Sequence, residues 1–389
     1  MMELFWLLLP VAAASGWWAA RREYEAREDG QAGSAEYFKG LNYLLDDKPD
    51  QAIDIFTRLV SVDRDTAETH LTLGNLFRRR GEVDRAIHIH RNLIARPTLS
   101  AGQRRRAMQE LGEDYLRAGL FDRAEQLFQE LAGQPGHTAA ALARLIDIYE
   151  REQDWKQALA CADRLHRHNG ELRSAPAAHY CCELAEQALH RDAAAEAGAW
   201  LDEALARDPC CARASILRGR LAMAGGDHPA AIAALQAVER QDAGYLPEVL
   251  DPLAQCYAAL DRQGELLAYL RRLHGRQPSG RLTAALAQWL AREESEDAAL
   301  AFLEAELRQH PTVLGLRCYI DLKRRRTAGA APTDLDALYR ISQHLLERSP
   351  PYRCGNCGFV ARTLHWRCFG CKSWNSVRPL PDLECRAGP

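Results

Sequence analysis

Apolar positions recur at helical spacing along most of the chain, and small residues recur with them at a fixed phase. Tyr43, Ala52 and Phe56 lie 3, 12 and 16 residues beyond Gly40, and Gly112, Tyr115, Ala124 and Phe128 repeat all four positions. Gly74, Phe77 and Ala86 keep the same frame, with His90 in the last slot. Weaker copies follow at Tyr149 with Ala158, Ala185 with Ala197, Gly219 with Ala231, and Ala254 with Tyr257. From Ala52 the steps between successive alanines are 34, 38, 34, 39 and 34 residues, the longer ones absorbed by "RPTLS" and "RHNGELRS". This period predicts antiparallel helix pairs stacked in series. The small residue on one helix and the alanine on the next let the two axes approach, and the aromatic fills the remaining gap. Pro209 and Pro311 stand where a second helix should stop, and Gly81, Gly119 and Gly226 where a pair should turn. The expected class is all-α, with about eight helix pairs over residues 35–325.

The frame resembles the tetratricopeptide repeat. That resemblance implies a solenoid whose units bury their faces only on their neighbours, with an extended surface that binds peptides or proteins. Each repeated glycine, alanine and aromatic is read as packing, and none is nominated as a binding residue.

Beyond "KRRR" (Lys323 to Arg326) comes the small-residue stretch "TAGAAPTD", then "LDALYRISQHLLERSPP". Leu335, Leu338, Ile341 and Leu345 share one helical face. Residues 326–351 are therefore expected to form a linker and a closing helix that seats the segment after it, so that this segment folds back on the repeats instead of hanging free.

At the other end, Met2 to Ala20 carries only Glu3 as a charge and would span about 28 Å as a helix. Trp6 lies near one end and Trp17 and Trp18 near the other, with Arg21 and Arg22 directly after. The pattern predicts an uncleaved transmembrane anchor over residues 1–20 and a juxtamembrane linker over 21–34, the basic end facing the cytoplasm. The basic start of a signal peptide is missing.

Composition narrows the partners. The 50 basic and 53 acidic residues leave a formal charge of -3, which gives no long-range pull toward nucleic acid. Apolar residues make up 47% of the chain, as expected of a folded protein and not of a disordered one. Of the 12 cysteines, eight lie outside the C-terminal cluster, including the neighbours Cys181/Cys182 and Cys210/Cys211. Oxidising conditions would mispair them, so a reducing compartment is expected, with these cysteines acting as small apolar fillers.

The remaining four carry the chemistry. Cys354, Cys357, Cys368 and Cys371 form two Cys-x-x-Cys pairs in residues 352–378, ahead of a short tail at 379–389. Each pair can grip one side of a single tetrahedral ion through two thiolates, and four sulfurs suit zinc or iron. Gly355, Gly358 and Gly370 let the loops turn so that amide groups face the sulfurs. Tyr352, Phe359, Trp366, Phe369 and Trp374 supply most of the apolar material, too little for a core without metal, so binding should fold the segment. Arg353, Arg362, Arg367 and Lys372 meet no acid here, and with four thiolates and a divalent ion the segment is basic, but too little so for nucleic acid to be an expected partner. The segment resembles a rubredoxin or a short zinc ribbon. Lys372 stands where the first pair has Gly358, and this broken symmetry favours a structural or regulatory site over an electron carrier.

An N-terminal anchor, tetratricopeptide repeats and a terminal rubredoxin-like knuckle, in that order, resemble the lipopolysaccharide assembly protein B family of Gram-negative bacteria over essentially the whole chain. The resemblance implies a single-pass inner-membrane adaptor with its body in the cytoplasm. It would present the deacetylase of the lipid A pathway to the membrane AAA+ protease FtsH, restraining lipopolysaccharide synthesis, and meet other proteins of lipopolysaccharide synthesis or transport. The four cysteines carry over one for one, and no catalytic residue does. In keeping with that, no H-E-x-x-H, Walker glycine loop or G-x-S-x-G is present, and His88/His90 and His166/His168 lie two apart, pointing to different sides of a helix. No enzyme is expected. Two other readings share the same features: a membrane-tethered redox protein with iron at the four cysteines, and a general scaffold for envelope assembly enzymes.

Overall fold

A glycine on one helix and a bulky side chain sixteen residues later set the spacing between paired helices. In the computed structural model, which describes residue 17 and residues 38–40, 42–43, 48–62, 67–169, 175–326 and 334–380, a Cβ placed on Gly40 would lie 2.7 Å from the ring of Phe56. The same 2.7 Å separates a Cβ on Gly112 from the ring of Phe128. Gly74 lies against His90 and Gly219 against Leu235, so two of the four pairs use a different filler for the same close approach.

The chain divides into two units, Met1–Asp154 and Trp155–Pro389. The first holds α1 (Pro49–Val62), α2 (Ala67–Arg80), α3 (Val83–Ile94), α4 (Ala101–Ala118), α5 (Phe121–Ala132) and α6 (Thr138–Glu152), each packed on the next. Helix α4 starts at a capping box, in which the Ser100 hydroxyl accepts from the Gln103 amide and the Gln103 side chain accepts from the Ser100 amide. It ends at Gly119, whose φ of +74° is the left-handed conformation that lets the chain reverse into α5. His90 fills an aromatic slot, and its ring is wholly buried with Nδ1 2.5 Å from Asp114 Oδ2. Arg78 donates to the other Asp114 oxygen at 2.8 Å and to Glu110 at 2.6 Å, so the buried polar pair is fully partnered.

The second unit continues with α7 (Trp155–Asn169), α8 (Ala175–Leu189), α9 (Ala194–Arg207), α10 (Ala212–Ala224), α11 (His228–Gln241), a 3-10 helix (Ala243–Glu248), α12 (Leu250–Ala259), α13 (Gln263–Arg276), α14 (Gly280–Glu293), α15 (Glu296–Gln309), α16 (Val313–Arg326) and α17 (Asp334–Arg348). One apolar core runs from Ile216 through Leu235, Leu253, Leu266 and Leu303 to Leu322. A three-stranded antiparallel sheet ends the unit: β1 (Tyr352–Cys354) lies between β2 (Val360–Ala361) and β3 (Val377–Pro379). Tyr352 pairs with Ala361 on one side and Pro379 on the other, and Cys354 with Val377.

Two expectations are corrected. Among the described residues no helix is long and apolar enough to cross a membrane. The helices of both units keep a polar face, and even the 18-residue α4 carries Arg104, Arg105, Arg106, Glu110, Glu113 and Asp114. The expected span over Met2 to Ala20 lies, apart from Trp17, outside the described residues. The single-pass anchor, the inner-membrane address and the cytoplasm-facing body are withdrawn with it. Second, α17 packs on α16, but its apolar face does not seat the metal segment: Leu338, Ile341 and Leu345 are 49%, 58% and 46% exposed.

Candidate metal centre and its seat on the repeats

The four cysteines converge. All four Sγ atoms of Cys354, Cys357, Cys368 and Cys371 lie within 4.8 Å of one another. Of the pairs that cross between the loops, Cys354 with Cys371 lies at 3.7 Å and Cys357 with Cys368 at 3.6 Å. A tetrahedral tetrathiolate with bonds of about 2.3 Å has sulfur–sulfur edges of about 3.8 Å, so the donor set fits one ion. Cys354 and Cys368 are buried and Cys357 and Cys371 lie nearer solvent.

Protonation is shared unevenly among these sulfurs. The Ser373 hydroxyl and amide bring the Cys371 thiol down to about 5, and the Ser376 hydroxyl lowers Cys354. The Phe359 amide pulls the same way on Cys357, yet burial and the neighbouring cysteine sulfurs push that thiol up to about 11. Charge and protons therefore divide over one cluster, and a divalent cation would replace the remaining protons. Gly370 keeps the centre tight, since a Cβ there would stand 3.2 Å from Cys357 Sγ.

The two loops are built alike despite their different sequences. The Gly358 amide donates to Cys354 O and the Lys372 amide to Cys368 O, both at 3.0 Å. Then the Cys354 amide donates to Phe359 O at 2.7 Å and the Cys368 amide to Ser373 O at 3.0 Å. Gly358 has φ +77° and Lys372 φ +61°. The expectation that a lysine at 372 breaks the symmetry of the loops is thus corrected, because the backbone adopts the left-handed turn there without a glycine.

The second loop also carries the side chains that dock this segment on the helices. Trp366 and Trp374 flank Cys368 and Cys371, and the Asn375 amide donates to Trp366 O at 2.8 Å, holding the two tryptophans on one hairpin. Trp374 stacks on His179 at 5.2 Å between centroids and meets Trp155 and Tyr180 edge-on, each at 5.8 Å. Trp366 lies 4.8 Å from the ring of Tyr245. The Tyr245 hydroxyl faces Asn375 Oδ1 at 2.8 Å and Val377 O at 3.2 Å, and burial holds its proton in place as a donor. Arg378 pairs with Asp242 at 2.9 Å, and the Tyr352 hydroxyl donates to Glu248 at 2.7 Å. Burial, with the nearby Arg213 charge, pushes His179 down to about 3, so it packs against the tryptophans as a neutral ring.

Sequence reasoning singled out the four cysteines that converge, and expected the ribbon to fold back on the repeats, but named none of the residues that seat it. Trp155, the neighbours His179 and Tyr180, Arg213 and Tyr245 come from four different helices, and nothing in the spacing links them to a segment more than a hundred residues away. One local signal existed: "DAGYLPE" (Asp242 to Glu248) interrupts the helical period with a glycine and a proline, and the resulting 3-10 turn presents Tyr245 to the ribbon. The isolated cysteines behave as expected, with Cys161, Cys181, Cys182, Cys211, Cys256 and Cys318 buried, although Cys210 is exposed.

Fold and site together define a tetratricopeptide-repeat protein with a rubredoxin-like ribbon whose four cysteines are positioned to hold one metal ion. Residues 352–379 match the rubredoxin metal binding domain family, and residues 110–171 and 183–245 match the tetratricopeptide repeat. Lipopolysaccharide assembly protein B of Escherichia coli K12 is 37% identical over 387 residues, covering 99% of this chain and all of that one. The protein of the same name from Haemophilus influenzae is 33% identical over 395 residues, with 99% and 100% covered. Among solved structures, a tetratricopeptide repeat protein from Parabacteroides merdae aligns at TM-score 0.33 and 11% identity over 80% of this chain and 99% of its own. The chain belongs to the lipopolysaccharide assembly protein B family.

Proposed function

We propose that this protein is a non-catalytic adaptor that restrains lipopolysaccharide synthesis by presenting the deacetylase of the lipid A pathway to the protease FtsH. The reading is supported by the relatives' name, by a repeat fold suited to holding proteins, and above all by the way the ribbon is joined to the repeats. Trp366 and Trp374 dock the ribbon, and the loop between them carries half of the metal ligands. Bound metal would thus supply structure, locking the hairpin that shapes the binding surface, and zinc is the proposed ion. Other proteins of lipopolysaccharide synthesis or transport would meet the same surface.

The test is the lifetime of the deacetylase in cells. With this protein deleted, or carrying Cys354→Ser and Cys357→Ser, the deacetylase should persist several-fold longer, and co-capture with FtsH should be lost. An unchanged lifetime together with unchanged capture would refute the adaptor role. A general scaffold for envelope enzymes would capture other partners and leave the lifetime alone.

One observation favours a second reading, an iron-based electron carrier: the matched turns at Gly358 and Lys372 give the twin loops that a redox site needs. Protein loaded only with zinc separates the two. It retains function if the metal is structural and is folded but inactive if it carries electrons.

A further inference from the structure

Between α10 and the ribbon lies a cavity of about 340 Å³. Arg213 and Arg220 enter it from α10 and Arg362 from the ribbon, against a single lining carboxylate, Glu248, which already accepts from Tyr352 and lies 4.0 Å from Arg281. Arg213 is 2% exposed, and its Nη2 is held by Glu183 at 2.9 Å and Glu186 at 3.0 Å. Those two bonds fix the guanidinium plane. Its Nε and Nη1 are buried and have no hydrogen-bond partner. Buried guanidinium donors are normally satisfied, so two orphaned nitrogens on a residue that lines a cavity point to a missing acceptor beside it. Arg220 and Arg362 are exposed and have no carboxylate partner among the described residues. Ile216, Leu364 and Trp366 supply apolar lining, and the Arg213 guanidinium lies 5.9 Å from the centre of the Trp366 ring.

We propose that this cavity binds a phosphorylated ligand, with the phosphate held by Arg213, Arg220 and Arg362 and its ring or carbon skeleton laid on Trp366. A carboxylate has two acceptor oxygens and is satisfied by one guanidinium fork. A phosphate monoester has three oxygens and up to two charges, which suit a cavity lined by three guanidiniums. The volume is that of a small-ligand site and admits a phosphate with an attached sugar-sized group. Because one wall is α10 and the other is the ribbon, a bound phosphate would bridge the two and oppose their separation. The site does not depend on partner delivery.

Titration calorimetry of the metal-loaded full chain tests the proposal, with glucose 1-phosphate as the soluble probe and phosphatidylcholine vesicles with and without phosphatidic acid as the lipid probe. Saturable binding of either probe is expected, weakened about ten-fold by Arg220→Gln or Arg362→Gln alone and further by both. Both residues are exposed, so these variants retain the fold. Arg218→Gln, outside the cavity and paired with Asp202, should bind as the parent does. Binding of glucose 1-phosphate would assign a free phosphorylated metabolite, and binding only to phosphatidic acid vesicles a lipid headgroup. No binding of either probe, or binding that the double Arg220→Gln/Arg362→Gln variant leaves unchanged, would overturn it.

Discussion

Gly358 and Lys372 occupy the same place in the two metal loops with the same left-handed backbone, φ +77° and +61°. A side chain in that conformation costs about 1–2 kcal/mol, partly offset by the extra freedom a glycine has in the unfolded chain. Lys372→Gly should therefore stabilise the metal-loaded ribbon by about 0.5–1 kcal/mol, and Gly358→Ala should weaken it by a similar amount. The temperature at which the ribbon releases its metal, followed with a coloured chelator, should rise for the first variant and fall for the second.

Gly112→Ala places a Cβ 2.7 Å from the Phe128 ring in a core where neither residue can move freely. Such overpacking costs about 1–3 kcal/mol. Removing the ring with Phe128→Ala opens a cavity and costs about 3–5 kcal/mol, but in that background the added methyl enters free space. The double variant should be more stable than the two separate losses sum to, by about 1 kcal/mol or more in urea denaturation. Strict additivity would show that the pair does not set the helix spacing.

The repeat was legible because close approach needs a small residue, and Gly40, Gly74, Gly112 and Gly219 each have their filler sixteen positions on. The metal ligands were legible because a two-pair cysteine spacing has few other uses. That the ribbon folds back on the repeats was expected from the helix it directly follows, but the residues that seat it were not legible. The face Leu335, Leu338, Ile341 and Leu345 has the period of a buried stripe, yet its outer residues stay exposed, since periodicity reports an apolar face without naming its partner. Lys372 misled for a related reason: glycine preference is a local free-energy bias, and a loop that carries two of the sulfurs and is closed by two backbone hydrogen bonds overrides it. His90 was seen in the last slot of the frame, but its partner there, Asp114, lies 24 residues away in the sequence and carries no local signal.

His179 ties the ribbon seat to pH. Its folded value of about 3 lies well below the usual 6.5, chiefly because the ring is buried and then because Arg213 is near. Between those values the unfolded chain binds a proton that the folded chain refuses, so stability is complete above about pH 6.5 and falls as the pH drops. The steepest loss is roughly 1.4 kcal/mol per pH unit. Urea denaturation of metal-loaded protein from pH 7 to pH 5 should show this slope, and His179→Leu should flatten it. An equal slope in the variant would assign the loss to groups other than His179.

Trp374 allows the metal and the seat to be separated. Its ring touches Trp155, His179 and Tyr180, while its backbone belongs to the hairpin that carries Cys368 and Cys371. Trp374→Ala leaves all four ligands and removes the central docking side chain, a loss of about 3–5 kcal/mol if the site behaves as a core position. The variant should keep one equivalent of metal. Amide exchange in α8 around His179 should accelerate, because the ring that covers it has gone. The Cys354→Ser/Cys357→Ser variant should lose metal and seat together, since a ribbon without its ion cannot hold Trp366 and Trp374 on one hairpin. Comparing the two isolates the contribution of docking: if the tryptophan variant is metal-replete but fails to shorten the life of the deacetylase, the adaptor works through the docked ribbon. If it functions normally while α8 exchanges freely, the ion matters for some purpose other than holding the ribbon in place.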